Sequence, residues 1–363
     1  MTRPLIRVLH VAGSLGLGGT EKVMQHFATG LDRDRFQAAV HSPTDGERGP
    51  LLRETGIPTH IGPDLLRTIE TFAPHIVHLH RAGWPDPDSL RPLRGARVPV
   101  VVETNVFGRH DPTPVARRID CHLFVSEFCA RRFERATGIA AQWPRYGVLY
   151  NPVDTDRFAA APAPDFSRPT IGRISRPDPG KWSPLALEFL PALAAQFPDL
   201  RYHIIGAIPE ALKYIRSHAL ERHVVLHEPV TTDAQIADFL SSVAVLAHAN
   251  DTGESFGLVI AEAMACGLPV VTHPAEGERD NAQLELVEHG VTGLVARTAD
   301  EYAGALAWLL RHPDEARAMG ARGREKAARL YRVQTVVAGL EDIYERLLAA
   351  KTEVAGTSGH AAR

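Results

Sequence analysis

Short apolar runs alternate with helical stretches along this chain. Leu5–Ala12 reads as a buried strand, and Glu21–Leu31 carries its apolar residues at helical spacing. Gln37–His41, Ile76–His80, Val98–Glu103 and Leu123–Val125 follow as strands, each bounded by Pro, Gly or charge. Ala159-Ala-Ala-Pro-Ala-Pro-Asp165 has two prolines and no periodicity, and it reads as a linker. The rhythm then restarts with Thr170–Ile174, Tyr202–Ile205, Val224–Leu226, Val243–Ala247 and Pro269–Thr272. From about Asp300 onward the pattern is helical, over Tyr302–Leu310, Glu315–Leu330 and Val333–Leu348. Strands alternating with helices predict parallel sheets covered on both faces. The expected organisation is an α/β fold of two Rossmann-like, doubly wound parallel-sheet domains facing a cleft. They span residues 1–160 and 161–332. A helix over 333–350 crosses back to the first domain, and 351–363 form a flexible tail.

Composition narrows the function. A chain of 363 residues is long for one core, and its 44% hydrophobic and 23% charged residues are those of a soluble globular protein. A net charge of −3 makes no case for nucleic acid. Residues 1–150 carry a net +4 and residues 151–363 a net −7, so a basic first half is compatible with an anionic membrane or acceptor. The basic stretch Arg131-Arg-Phe-Glu-Arg135 hints at lipid-linked acceptors or a solvated face. Three cysteines, Cys121, Cys129 and Cys266, share no metal-ligand spacing and argue against a disulfide framework. No run approaches the ~20 apolar residues of a membrane span. The cytoplasm, or the inner face of the membrane, is the expected location.

Four segments carry candidate chemistry. The first loop, Gly13-Ser-Leu-Gly-Leu-Gly-Gly-Thr-Glu-Lys22, follows a strand and opens a helix, the place for phosphate contact through backbone N–H groups. Gly18 and Gly19 are its candidates, with Glu21 beside them. It lacks the dinucleotide fingerprint, and the second strand ends in His41-Ser42 rather than an acid, which counts against a nicotinamide-dependent oxidoreductase. His78 and His80 lie at a strand end, and strand alternation puts both on one face. His80, at the tip, is the stronger candidate. In Ile171-Gly-Arg-Ile-Ser-Arg-Pro-Asp-Pro-Gly-Lys181, Arg173 and Lys181 offer a planar fork and a point charge to a diphosphate, and Arg176 competes with Lys181. Gly172 is read as a place where a ligand meets backbone.

The fourth segment is Glu254-Ser-Phe-Gly-Leu-Val-Ile-Ala-Glu262 with Ala-Met-Ala-Cys-Gly-Leu-Pro-Val-Val271 behind it. Glycines before Leu258 and at Gly267 bound a helix. Glu254 therefore lies on a loop and Glu262 inside the helix. Were both on one helix, they would stand ~80° apart. Ser255, Phe256, Gly257 and Leu258 form a helix N-terminus suited to phosphate. Glu262 is expected to take ribose hydroxyls and Glu254 sugar hydroxyls. A ligand joining a phosphate to neighbouring hydroxyls on both sides is a nucleotide-sugar. Asp280–Glu285 falls near the expected base and sugar region.

Taken together these motifs resemble the retaining glycosyltransferases of family GT4, which have the GT-B fold. Glu254 to Glu262 is similar to that family's E-x7-E motif, and Gly18-Gly-Thr-Glu21 to its GG-x-E turn. Val125-Ser-Glu-Phe128, Asn151-Pro-Val-Asp154 with Phe158, and Gly290-Val-Thr-Gly-Leu294 resemble three more of its segments. Pro152 stands where Gly is common. The resemblance implies a donor in the C-terminal domain, an acceptor in the N-terminal domain, and no metal or other cofactor beyond a UDP- or GDP-type sugar as substrate. It further implies His80 near the transferred sugar. The span from Arg173 to Lys181 is longer than the family's, and Asn105 replaces a frequent His, which touches an acceptor contact.

No carboxylate is obviously placed as a nucleophile opposite Glu254. The expected chemistry is therefore front-face transfer of a hexose to a hydroxyl, in polysaccharide, glycolipid or glycoconjugate synthesis. The alternatives are a sugar-nucleotide 2-epimerase of the same fold, which turns over donor without acceptor, and a non-catalytic nucleotide-sugar-binding protein.

Overall fold

The computed structural model describes residues 4–360. Its contacts divide the chain into two units, Met1–Pro152 with Val333–Arg363, and Val153–Arg332.

Unit 1 holds a seven-stranded parallel sheet: β1 (Ile6–Ala12), β2 (Phe36–Ser42), β3 (Thr59–Ile61), β4 (Ile76–Arg81), β5 (Val100–Asn105), β6 (Cys121–Phe124) and β7 (Tyr146–Val148). Their order is β3-β2-β1-β4-β5-β6-β7. Leu9, Val77, Leu79 and Val101 point to one face and pack under Leu65, Ile69, Leu90 and Leu93. His10, His78 and His80 alternate with them and point to the other. That face is covered by the helices Gly19–Gly30 and Val333–His360.

Unit 2 repeats the plan with β8 (Thr170–Ile174), β9 (Arg201–Ile205), β10 (Val224–His227), β11 (Val245–Ala247), β12 (Val270–Thr272) and β13 (Gly293–Val295). The order is β10-β9-β8-β11-β12-β13, and every pairing is parallel. In both sheets the order reverses beside the first strand, between β1 and β4 and between β8 and β11. Open α/β sheets bind ligands at such switch points.

Two boundaries differ from the sequence reading. The break between units falls after Pro152 and not at 160, because Val153 donates to the Tyr331 carbonyl at 2.7 Å and Phe158 is fully buried, which ties Thr155–Ala159 into unit 2. The proline-rich 160–165 segment is surface chain of unit 2. The last helix runs Val333–His360 and not to 350, so the expected tail is helical up to His360. The rest of it, 361–363, lies outside the described residues. Glu341 ties this helix to unit 1 through the Asp32 backbone N–H at 2.7 Å and Arg35 at 3.0 Å. No helix among the described residues is long and apolar enough to cross a membrane.

Candidate active site

The switch point of unit 2 gathers a charged group. Arg173 comes from β8. Lys181 ends a short 3-10 turn, Pro179–Lys181, and His248 and Asn250 follow β11 directly. Glu254 closes the group from the loop before the helix Leu258–Cys266.

Glu254 is the hub. Its Oε1 accepts from Lys181 Nζ at 3.0 Å, from His248 at 3.4 Å and from Asn250 Nδ2. Its backbone N–H donates to Gln283 Oε1 at 3.0 Å, and Gln283 is itself held by the His273 carbonyl at 3.1 Å. Burial pushes the Glu254 carboxyl up. The His248 hydrogen bond and the Lys181 charge outweigh that and bring it down to about 2. Burial lowers His248 despite Glu254, so it stands neutral near pH 7. Its other ring nitrogen lies 3.1 Å from Thr272 Oγ1, which fixes the ring.

Arg173 is 1% exposed. Its guanidinium lies 4.3 Å over the Trp182 ring, donates to Asn250 Oδ1 at 3.2 Å, and also donates to the Lys181 carbonyl. Burial lowers its pKa. Two cations thus face one carboxylate, leaving positive charge for an anion. Arg176 is exposed on the loop and outside this group, whereas Lys181 bonds Glu254 within it.

The helix Leu258–Cys266 is buried nearly all round, and Glu262 within it is 2% exposed. Its bounding glycines have left-handed backbones, Gly257 at φ 105° and Gly267 at φ 80°, which only glycine adopts freely. No side chain caps the N-terminus at Gly257. Its first-turn N–H groups are positioned for an anion.

Two candidates have packing duties. Phe256 is buried, with its ring 5.1 Å from Tyr331, so the side chain belongs to the core and only its backbone can meet a donor. Gly172 is hemmed by Val243 and Phe239, and a Cβ there would sit 2.9 Å from a Val243 methyl. Its missing side chain makes room for Val243 and for Phe239 of the helix Asp233–Ser241. Gly253, one of the glycines before Leu258, has φ 65° and is pressed against the Asp280 carbonyl.

In unit 1, Gly18 precedes the first helix and Glu21 folds back over it, its carboxylate accepting from Ser14 at 2.9 Å. Gly19 is the first helical residue. Glu21 is therefore a clamp on the glycine loop. Asn105 is a clamp too: it accepts from Arg109 N at 3.1 Å and donates to the Arg109 carbonyl at 2.8 Å. Asn105 is 2% exposed, and these two bonds occupy its amide.

His80 is 5% exposed, stacked on His78 at 4.4 Å and 3.1 Å from His10 Nδ1. His78 is bound on both sides, to Tyr344 at 2.6 Å and Thr104 at 2.9 Å. Burial brings His10 down to about 3 and holds His78 and His80 well below their ordinary value. The three bring ring nitrogens within 4.8 Å of one another, the distance range of a metal site, but both nitrogens of His78 are already engaged.

His248, Asn250 and Gln283 went unread in the sequence. The signal for the first two is polar residues straight after an apolar strand. Gln283 lies in Asp280–Glu285, which was placed near the ligand but not decoded.

Residues 168–312, most of unit 2, match the family described as Glycosyl transferases group 1. The chain is 33% identical to a GDP-mannose-dependent alpha-(1-6)-phosphatidylinositol monomannoside mannosyltransferase of Mycobacterium tuberculosis, over 63% of this chain and 64% of that protein. It is 29% identical to a phosphatidyl-myo-inositol mannosyltransferase of Mycolicibacterium smegmatis, over 78% of this chain and 74% of the relative. The chain thus spans just under two thirds of the first of these. Among solved structures it is similar to Anabaena HepE in complex with UDP and glucose, with TM-score 0.77, 22% identity, and coverage of 94% of this chain and all of that one. The likeness establishes the expected GT-B fold, two Rossmann-like parallel-sheet domains.

Proposed function

We propose that this chain, whose residues 168–312 match the family described as Glycosyl transferases group 1, transfers a hexose from a nucleoside-diphosphate sugar to a hydroxyl of a carbohydrate or lipid-linked acceptor. The observation that carries this is the convergence of Arg173, Lys181, His248 and Asn250 on Glu254 at a switch point, beside an uncapped helix N-terminus. Arg173 and Lys181 take the diphosphate, the N-terminus at Gly257 and Leu258 adds backbone donors, Glu262 takes the ribose, and Glu254 the transferred sugar.

The transfer retains configuration and needs no metal. The bond from the anomeric carbon to the diphosphate oxygen breaks, and the acceptor oxygen bonds to the same face of that carbon. The acceptor proton passes to the departing diphosphate. Arg173 and Lys181 stabilise the charge that grows there, the largest contribution to rate in such sites. In unit 1, His80 is the residue assigned to the transferred sugar, and it stays neutral because it is buried. The mannosyltransferase relatives and the UDP-bound neighbour support GDP- and UDP-sugars as the donors to test first.

A thermal-shift screen of GDP-, UDP-, ADP- and TDP-sugars tests the reading. A donor that binds the folded state raises the melting temperature, by about 2.7 kcal/mol of stability at a hundred times its Kd. Absence of a shift with every nucleotide sugar refutes it.

A further inference from the structure

The carboxyl ends of β4 and β5 carry two loops held together by buried charge. Arg81, the last residue of β4, pairs with Glu103 at 3.1 Å and Asp111 at 3.0 Å, and donates to the Trp84 carbonyl at 2.8 Å. Asp111 also accepts from the backbone of Asp86 and Thr113, at 3.3 and 3.0 Å. Backbone bonds from Val106 to Arg81 and from Phe107 to Ala82 weave the loops further. Gly83, at φ 91°, lies against the Asn105 amide, which clips the second loop at Arg109.

Buried ion pairs of this kind are costly to desolvate and add little net stability, but they fix a geometry. What they fix here is Trp84. Its backbone is anchored by Arg81, the Arg109 guanidinium lies over one face of its ring at 4.7 Å, and the Phe107 ring lies 6.1 Å away, so stacking falls to the other face. Yet Trp84 is 48% exposed, the most open of the aromatic residues that stand out as exposed.

We propose that Trp84 is the stacking platform for a sugar or cyclitol ring of the acceptor. This rests on the transferase reading, which supplies a polyhydroxylated acceptor. The chemistry is specific to such rings. One face of a pyranose or cyclitol is a set of C–H bonds polarised by neighbouring oxygens, and it fits the electron-rich face of an indole. The hydroxyls stay at the rim, where water or polar side chains serve them. An aromatic anchor with two χ angles, already immobilised, loses little entropy on binding. The position agrees with the rule that open α/β sheets take ligands at strand carboxyl ends. Trp84 is a binding residue and handles no proton.

The test uses the full chain without any donor, so it reads this platform and not the transferase activity. Saturation-transfer NMR is recorded with two ring polyols, methyl α-D-mannopyranoside and myo-inositol. The expected result is saturable transfer to at least one, strongest on its ring C–H protons. Binding should be about tenfold weaker in Trp84→Ala and largely restored in Trp84→Phe. Trp308→Ala, at an exposed tryptophan near a helix end in unit 2, should match the wild type. No transfer to either polyol in the wild type, or equal binding by wild type and Trp84→Ala, overturns the proposal. Failure of the donor screen alone would overturn the transferase reading and leave a sugar-binding platform in place.

Discussion

Replacing Glu254 with Gln removes the only negative charge at the centre of the unit 2 group. Lys181 and Glu254 side chains are 25% and 18% exposed, so their pair is neither a surface nor a deeply buried one. Breaking buried pairs costs about 3–5 kcal/mol and surface pairs about 0–1, which places this one near 2 kcal/mol. Linkage gives a similar figure. A carboxyl held at about 2 against an ordinary 4.5 contributes about 3 kcal/mol at neutral pH before solvent screening is discounted. Glu254→Gln should therefore melt about 4–8 °C below wild type at pH 7.5, for a unit of this size. The sign with pH is fixed. The Glu254 contribution is complete above the unfolded value of 4.5 and disappears as pH falls from there towards 2. The glutamine variant never had it, so the gap should narrow in acid, by about 1 kcal/mol at pH 4. Differential scanning calorimetry at pH 7.5, 5.5 and 4 measures this. A variant within 1 °C of wild type at pH 7.5, or a gap unchanged at pH 4, refutes the central position of Glu254.

Gly253→Ala places a Cβ onto the Asp280 carbonyl at a left-handed backbone. It should cost about 2 kcal/mol or more and abolish the donor-induced thermal shift, because the loop bearing Glu254 has to move. Phe256→Ala should cost about 3–5 kcal/mol in urea unfolding through its contact with Tyr331, with donor affinity retained in the folded fraction. The buried histidines predict acid sensitivity in unit 1. His10, lowered from 6.5 to about 3, binds a proton more readily when unfolded, so stability is intact above 6.5 and falls by about 1.4 kcal/mol per pH unit below it. Amide exchange over Ile76–Arg81 should accelerate accordingly, and more shallowly in His10→Asn.

Strand and helix periodicity carried the fold. Continuous apolar runs such as Val100–Val102 can only be buried on both faces, and that meant parallel sheets. Short strands escaped. Thr59–Ile61, Tyr146–Val148 and Gly293–Val295 are three residues each and lack the unbroken apolar run that marks the equally short Val245–Ala247, and they exist because a neighbouring strand pairs with them. The domain break was misplaced because proline and alanine mark exposed chain, and exposure does not require a boundary. At the site, the charged residues Arg173, Lys181 and Glu254 were legible: Lys181 pairs with Glu254, and Arg173 reaches the Lys181 carbonyl and Asn250. The partners that orient them were not, since His248, Asn250 and Gln283 are neutral and acquire meaning only when three loops converge. Glycine was the most ambiguous signal. Gly172 and Gly18 look alike in sequence to glycines at ligands, but their missing side chains make room for Val243 and for Glu21.

The proposed transfer depends on Arg173 holding the departing diphosphate. The direct measurement is nucleoside diphosphate release at saturating donor, with and without acceptor, by wild type and Arg173→Ala. Release by the wild type should depend on acceptor. In the variant kcat should be lower by about 100-fold or more, with acceptor KM little changed. Near-normal turnover by Arg173→Ala, or wild-type release that ignores the acceptor, would contradict it.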